Sequence, residues 1–241
     1  MSILAPLMKS SAATLEPPKR TAPAKARRIV IVDDHPLFRK GLEQLINSRA
    51  GLVVCGEAPD ASAAMGVIRD KKPDLVIVDL SLPGANGIEL IKNIRAEFHK
   101  VPVLALSMHD ESLYALRALR AGAQGYVMKQ EALENVITAI HEVLAGRPYL
   151  SPAMSATVIA KFAQGAGTEV SANVVDRLSD RELEILELIG KGRDVREIAK
   201  MLHLSPKTVE THRAHIKEKL NLTNARQVAR FAVQWIGQKG V

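Results

Sequence analysis

The chain has 241 residues, enough for two ordinary domains, and 47% of them are hydrophobic, so packed cores can form without cross-links. One cysteine, Cys55, excludes an internal disulfide framework and fits a reducing compartment, and no apolar run approaches the roughly 18 residues that a membrane-spanning helix needs. The net charge of +7 is uneven: residues 177–241 hold thirteen Lys and Arg against eight Asp and Glu, while residues 29–150 hold thirteen against fifteen. The last quarter is therefore the part suited to meeting phosphates.

Residues 1–27 are rich in Ala, Pro, Ser, Lys and Arg without an apolar period, which predicts a disordered tail. The stretch Ile3-Leu4-Ala5-Pro6-Leu7-Met8 is too short and proline-broken for a secretory signal, and the protein is expected to be cytoplasmic. From Arg28 short β-branched runs begin to alternate with helical patterns. The predicted strands are Ile29–Asp33, Leu52–Glu57, Leu75–Leu80, Val101–Ser107 and Gly125–Lys129. Between and after them the apolar spacing predicts helices over Leu37–Ser48, Ala61–Arg69, Gly87–Phe98, Glu111–Ala121 and Leu133–Leu144. Near-continuous apolar strands alternating with helices predict a five-stranded parallel sheet covered on both faces, an α/β domain of the flavodoxin-like kind.

Residues 149–176 contain Ser151-Pro152, Gly165 and Gly167 and read as a linker, with a short helix near Ala156–Phe162. Such a segment would let the first domain cover or release whatever follows it. Beyond it no strand pattern remains. The spacing predicts an all-α unit of four helices over Arg181–Ile189, Val195–Leu202, Pro206–Leu220 and Ala225–Ile236. Ser179 and Glu182 stand in capping-box register for the first, and Ser205 with Pro206 opens the third. The expected division is a tail at 1–27, a domain at 28–148, a linker at 149–176 and a helical domain at 177–241.

Three carboxylates fall at strand ends: Asp33 and Asp34 after the first, and Asp79 near the end of the third. Right-handed crossovers bring those ends to one edge, where clustered carboxylates repel unless a cation neutralises them. Hard oxygen ligands in a wet cleft favour Mg²⁺. Ser107 and Lys129 end the fourth and fifth strands at the same edge. A carboxylate nucleophile, a divalent ion, a hydroxyl and a lysine together make a site for an aspartyl phosphate. Singly, each is an ordinary cap, turn residue or strand end; it is their convergence that carries chemistry.

Ile31-Val32-Asp33-Asp34-His35-Pro36, Val78-Asp79-Leu80-Ser81-Leu82-Pro83-Gly84 with Gly87, Leu106-Ser107 and Gly125-Tyr126-Val127-Met128-Lys129 resemble the receiver domains of two-component response regulators. The resemblance covers residues 28–148. It implies that Asp79 is the phosphoacceptor, and that Asp34 and Asp79 ligate Mg²⁺ directly. Asp33 would act through water and Ser81 through its backbone carbonyl. Lys129 would pair with the phosphoryl group, Ser107 would hydrogen-bond it, and Tyr126 matches the aromatic that turns inward when that hydroxyl moves. Leu82 replaces a frequent Met, a near-isosteric change.

In the helical unit Val195, Ile198, Ala199 and Leu202 make one apolar face, and Val209, Ile216 and Leu220 make another with His212 beside them. The opposite face of Pro206–Leu220 presents Lys207, Glu210, Thr211, Ala214 and Lys217, with Thr208 in its first turn and Arg213 at its flank. Small and polar side chains ringed by cations suit a helix entering the major groove; an amphipathic hairpin with a solvated face would look much the same. His212 and His215, three apart without further ligands in sequence, are read as structural. Leu178-Ser179-Asp180-Arg181-Glu182, Ile198-Ala199 and Leu204-Ser205-Pro206-Lys207-Thr208-Val209-Glu210-Thr211-His212 resemble the LuxR-type helix-turn-helix over residues 177–236.

A receiver followed by this unit is the layout of the NarL/FixJ family. The resemblance implies a transcription regulator rather than an enzyme, phosphorylated by a sensor histidine kinase and binding duplex DNA. It further implies a homodimer when phosphorylated, with the last helix supporting dimerisation. Glu210 stands where many members carry a basic residue, which leaves the base-reading set open. A haloacid-dehalogenase-type phosphatase would need Asp-x-Asp where this chain has the adjacent Asp33-Asp34. A quorum-sensing LuxR regulator would carry a ligand-binding domain in place of the acidic site. A transcription factor using a phosphate-independent receiver only to dimerise would have lost one of the acidic or lysine positions, all of which are kept here.

Overall fold

A computed structural model of the protein describes residues 25–83, 86–109, 111–163 and 174–237. The expected tail up to residue 24, the motif glycine Gly84 and the linker glycines Gly165 and Gly167 lie outside the described residues. Among those described, no helix is long and apolar enough to cross a membrane.

Five parallel strands, β1 (Arg27–Val32), β2 (Leu52–Ala58), β3 (Leu75–Asp79), β4 (Val103–Ser107) and β5 (Gly125–Met128), form one sheet in the order β2-β1-β3-β4-β5. They alternate with α1 (Pro36–Asn47), α2 (Ala61–Lys71), α3 (Gly87–Glu97), α4 (Glu111–Ala121) and α5 (Ala132–Leu144). Alternate strand residues serve opposite faces, as a period of two requires. Ile29, Ile31, Ile77 and Leu106 pack against Ile46 of α1 and Ile140 of α5. Val30, Val32, Val78 and Ala105 face Ile68 of α2, Ile91 of α3 and Ala115 of α4.

The strand order reverses between β1 and β3, and such a switch point opens a crevice at the carboxyl ends of the strands. β4 begins at Val103 rather than Val101 because Pro102 has no N–H for the ladder; its carbonyl accepts from Val76 N instead. β5 stops at Met128, so Lys129 opens a 3-10 turn rather than closing the strand, and this turns it toward the crevice.

The helix expected near Ala156–Phe162 starts earlier than its spacing predicts. α6 spans Pro152–Ala163, started by proline at its first position and by Ser151 Oγ, which accepts from Met154 N. A 3-10 turn at Val174–Arg177 leads into α7 (Asp180–Gly190), α8 (Val195–Met201), α9 (Pro206–Lys219) and α10 (Ala225–Gly237). The Ser179–Glu182 capping box forms as expected, and a second one, Asp194 with Glu197, starts α8. Gly190 lets α10 approach: a Cβ there would lie 2.5 Å from Ile236 Cδ1 and 2.6 Å from the Ala232 carbonyl oxygen.

The helical unit docks on the receiver-like domain through α7 and the turn before it. Val175, Leu178 and Leu183 join one continuous apolar core with Tyr114 and Ala115 of α4. Arg117 on α4 donates to the carbonyls of Leu178 (2.9 Å) and Val175 (3.1 Å) and to Asp180 Oδ1 (2.9 Å). Covering of α9 by the first domain, one of the two states the linker was expected to allow, is not what occurs. Lys207, Glu210, Thr211 and Ala214 stay exposed, because α4 holds the helical unit by the start of α7 and the turn before it, away from α9.

Candidate functional site

The five residues expected at one sheet edge do meet there. Asp33, Asp79 and Ser107 are fully buried and Lys129 nearly so. Lys129 Nζ lies 2.7 Å from Asp33 Oδ2 and 2.7 Å from Asp79 Oδ2, and 4.7 Å above the ring of Phe38. Backbone amides orient the remaining oxygens: Ser81 N donates to Asp79 Oδ1 at 3.0 Å and His35 N to Asp33 Oδ1 at 2.8 Å. His35 Nδ1 stands 2.6 Å from Asp34 Oδ1 at the solvent side. Arg39 donates to the Asp33 carbonyl and, at 2.8 Å, to Glu57, bracing the end of β1 against β2.

Burial pushes the Asp79 carboxyl above its ordinary range; Lys129 opposes that shift and Asp33 adds to it. Burial would lower the Lys129 ammonium, yet the two carboxylates hold it above its usual value. The site is thus a buried carboxylate pair only half neutralised by one lysine, and its charge balance would shift on arrival of any further ion. Asp33, Asp34, His35 and Asp79 each offer a ligand atom within 4.8 Å of the others. Three carboxylates of that set are hard oxygen donors on a partly open crevice, a fit for Mg²⁺. Gly87 makes room for the loop: a Cβ there would lie 2.2 Å from the Asp79 carbonyl oxygen and 2.6 Å from Leu80 Cα.

Ser107 Oγ accepts from His109 N at 2.9 Å. Tyr126 is already turned inward and buried, its hydroxyl donating to the His109 carbonyl at 2.9 Å, so an inward swing of this ring is not required to reach that position. His109, which sequence reasoning passed over, is the hub of this corner. Its Nε2 lies 3.1 Å from Ser81 Oγ, its Nδ1 lies 3.0 Å from Glu187 Oε2 of α7, and its ring stacks on Tyr114 at 4.4 Å. A histidine two residues past a strand has no periodic signal, and its partner lies 78 residues away.

On α9, Ser205 caps the start by accepting from Thr208 N at 3.0 Å, and Val209, Ile216 and Leu220 are buried as the spacing predicts. Lys207, Glu210, Thr211 and Ala214 line the exposed face, with Thr208, Arg213 and Lys217 half-buried at its edges. Arg213 pairs with Glu210 at 3.0 Å, and Thr211 Oγ1 donates back to the Lys207 carbonyl at 3.0 Å. His212 and His215 approach Glu182, but Lys219 already holds that carboxylate at 2.6 Å. Burial resists ionisation of Glu182, yet Lys219 and Ser179 keep its carboxyl below the usual range.

Residues 29–141 match the family described as response regulator receiver domain, and residues 176–232 match the luxR family of bacterial regulatory proteins. The oxygen regulatory protein NreC of Staphylococcus carnosus (strain TM300) is 37% identical over 210 residues, covering 86% of this chain and 97% of that protein. The chain belongs to the NarL/FixJ family of two-component response regulators. Among solved structures, a LuxR-family response regulator from Aurantimonas sp. SI85-9A1 shares 40% identity, with a TM-score of 0.54 over 58% of this regulator and 99% of that chain. RcsB from Salmonella enterica serovar Typhimurium, bound to promoter rprA in the presence of phosphomimetic BeF3-, shares 27% identity. Its TM-score is 0.57 over 87% of this regulator and 99% of that chain. The regulator therefore joins a receiver to a LuxR-type DNA-binding domain, the architecture of a transcriptional regulator.

Proposed function

We propose that this regulator accepts a phosphoryl group on Asp79 from a sensor histidine kinase and converts that event into binding of duplex DNA through α9. The observation that carries this reading is the Lys129 bridge between Asp33 and Asp79, with Ser107 beside it at the same sheet edge. An Asp79 carboxylate oxygen attacks phosphorus in line with the donor, the bond from phosphorus to the donor atom breaks, and that atom leaves with the electron pair. Lys129 pairs with the transferred group and Ser107 donates to one of its oxygens. Asp34, Asp79 and the Ser81 carbonyl would hold Mg²⁺, with Asp33 joining through water, and the ion would offset the charge gathering on the phosphoryl oxygens.

Residues 28–148 form the receiver on this reading, 149–176 the connection and 177–241 the effector. The regulator acts in the cytoplasm, where its DNA lies, and its phosphorylated form is a homodimer. Lys207, Lys217 and Arg213 supply phosphate contacts, while Thr208, Glu210, Thr211 and Ala214 face the base edges. The promoter complex of the RcsB relative supports the DNA-binding half. A phosphate-independent receiver would have no use for the buried cation bridging two carboxylates, which disfavours that alternative. Intact mass spectrometry with acetyl phosphate and Mg²⁺ tests the proposal: one phosphoryl adduct is expected on the wild type and none on Asp79→Asn. Equal labelling of the variant would place the acceptor elsewhere.

A further inference from the structure

The helical unit holds its own cluster of ligand-bearing side chains, none of them part of the carboxylate pocket. Glu182 of α7 and His212 and His215 of α9 each offer a ligand atom within 4.8 Å of the others. The histidines stand three apart and so share one side of α9, and the fold supplies from α7 the third ligand that the sequence around them lacks. The two oxygens of Glu182 have different duties. Its Oε2 accepts from Ser179 N at 2.7 Å and from Lys219 Nζ at 2.6 Å, while its Oε1 faces His215 Nδ1 at 3.7 Å. His212 Nδ1 is buried and finds no hydrogen-bond partner among the described residues. A buried nitrogen in that state costs free energy unless something else satisfies it. Burial also holds the His212 imidazole below its ordinary range, so at neutral pH it is uncharged and keeps the lone pair that a metal needs.

We propose that Glu182, His212 and His215 form a site for a borderline transition ion such as Zn²⁺, which pins the DNA-facing helix α9 to α7. Two imidazoles and one carboxylate are a donor set that suits Zn²⁺, whereas Mg²⁺ favours the carboxylates around Asp79, so ligand chemistry sorts the two ions between the two places. Ligands of a tetrahedral Zn²⁺ with bonds of about 2.0–2.2 Å stand roughly 3.3–3.6 Å apart, so the 3.7 Å between Glu182 Oε1 and His215 Nδ1 needs little change. The exposed His215 ring is able to adjust, while His212 is half-buried in the packing of α9. An open hollow lined by Arg177, His215, Glu218, Lys219 and Asn221 admits water on the His215 side as a further ligand. Lys219 tunes the affinity: its ammonium stays on Oε2 while Zn²⁺ takes Oε1, so one carboxylate serves two cations and the lysine opposes the metal. His215 lies one turn beyond Thr211, and occupancy stiffens the helix that carries the DNA face. The effector thereby gains an input that does not pass through Asp79.

The test titrates the untagged full chain, stripped of metal by chelation, with Zn²⁺ in millimolar Mg²⁺. Calorimetry is expected to show Zn²⁺ uptake that Mg²⁺ does not displace, and His215→Ala should weaken it by about tenfold or more, as loss of a ligand requires. Glu182→Gln, which keeps an acceptor for the Ser179 amide without the charge, should weaken it similarly. Lys219→Gln should act in the opposite sense and tighten binding, because it removes the competing cation; a purely structural role for the histidines predicts no such reversal. Zn²⁺ should also raise the unfolding midpoint of the wild type and leave that of His215→Ala unchanged. His215 lies at the surface, so its variant keeps the test decisive should Glu182→Gln fail to fold. Zn²⁺ bound with equal affinity by the wild type and His215→Ala, or bound by neither, would overturn the site, as would weaker binding by folded Lys219→Gln.

Discussion

Lys129 Nζ stands at the same distance, 2.7 Å, from Asp33 Oδ2 and from Asp79 Oδ2, so one cation serves two buried carboxylates. Removing it leaves both negative charges in the interior, a change of about 3–5 kcal/mol for a broken buried pair. Lys129→Ala should lower the unfolding midpoint accordingly, regain part of it in millimolar Mg²⁺, and keep some phosphorylation while losing the downstream response. Asp79→Asn acts in the opposite sense. The folded-state pKa of Asp79 is raised, so ionisation at neutral pH costs stability, and the cost is relieved as pH falls below that value. The variant should therefore unfold at a higher temperature than the wild type at pH 7, with the advantage shrinking in acid. A lower midpoint at pH 7 would contradict this account.

The convergence of Asp33, Asp79, Ser107 and Lys129 was legible because strand periodicity fixes which residue ends each strand and a parallel sheet aligns those ends. The burial pattern of α9 was legible for the same reason, since Val209, Ile216 and Leu220 repeat at helical spacing. What the sequence concealed were contacts between elements with no shared period. His109 and Glu187 belong to different domains, and Arg117 reads as a solvated helix residue until α7 lies against it. Tyr126 was placed correctly in the strand, but its inward rotamer depends on a carbonyl acceptor in a loop.

Two glycines are held by close approach rather than by turn geometry. A Cβ at Gly87 would meet the Asp79 backbone, and one at Gly190 would meet the backbone of α10. Backbone cannot move aside as a flexible side chain can, so each Gly→Ala change should cost about 1–3 kcal/mol, the usual range for overpacking. The consequences should differ. Gly87→Ala should also slow Asp79 labelling by displacing the loop that orients it, whereas Gly190→Ala should weaken DNA binding and leave acetyl phosphate labelling at or above the wild-type rate. Thermal unfolding alongside intact mass spectrometry separates the two.

The exposed face of α9 should divide into two kinds of residue. Lys207→Ala and Lys217→Ala should weaken binding to every duplex and flatten the salt dependence by about one unit each. Changes at Thr211 or Glu210 should alter preference at a contacted pair by roughly 1–3 kcal/mol. The Glu210–Arg213 ion pair refines this expectation: Glu210→Ala frees Arg213, so it should raise affinity for non-specific DNA while changing base preference. Fluorescence anisotropy at several salt concentrations on matched and scrambled duplexes reads both effects.

Glu187 gives the domain contact a pH dependence. Burial works against its ionisation, but His109 and Lys191 hold its carboxyl at about 2 against an ordinary 4.5. The groups facing it are His109 and Tyr114 from the receiver and Lys191 from its own domain. A depressed carboxyl contributes stability that is present above 4.5 and lost as pH falls toward 2, amounting to roughly 3 kcal/mol at most. Docking measured by small-angle scattering should loosen as pH drops from 4.5, and the difference between wild type and Glu187→Gln should shrink over the same interval. A difference that stayed constant down to pH 3 would assign the docking energy to the apolar core around Tyr114 instead.

Phosphorylation should raise DNA affinity chiefly by changing the association state. One helix-turn-helix makes few phosphate and base contacts, whereas a dimer engages two half-sites in one linked event. The exposed state of α9 in the docked form strengthens this expectation: Lys207, Glu210, Thr211 and Ala214 are already free, so unmasking them cannot be the main gain. What the docked form ties down is α4, whose Arg117 holds the turn before α7 and whose Tyr114 hydroxyl reaches Glu187 of α7. Releasing α7 would free α4 to meet a second copy of the receiver, a population shift rather than a refolding. Beryllofluoride-treated protein should therefore sediment as a dimer and bind a duplex with two half-sites more tightly than untreated protein, while a single half-site should show little change. Tighter binding by a species that remains monomeric on and off DNA would refute the dimer mechanism and return the effect to freedom of the effector domain alone.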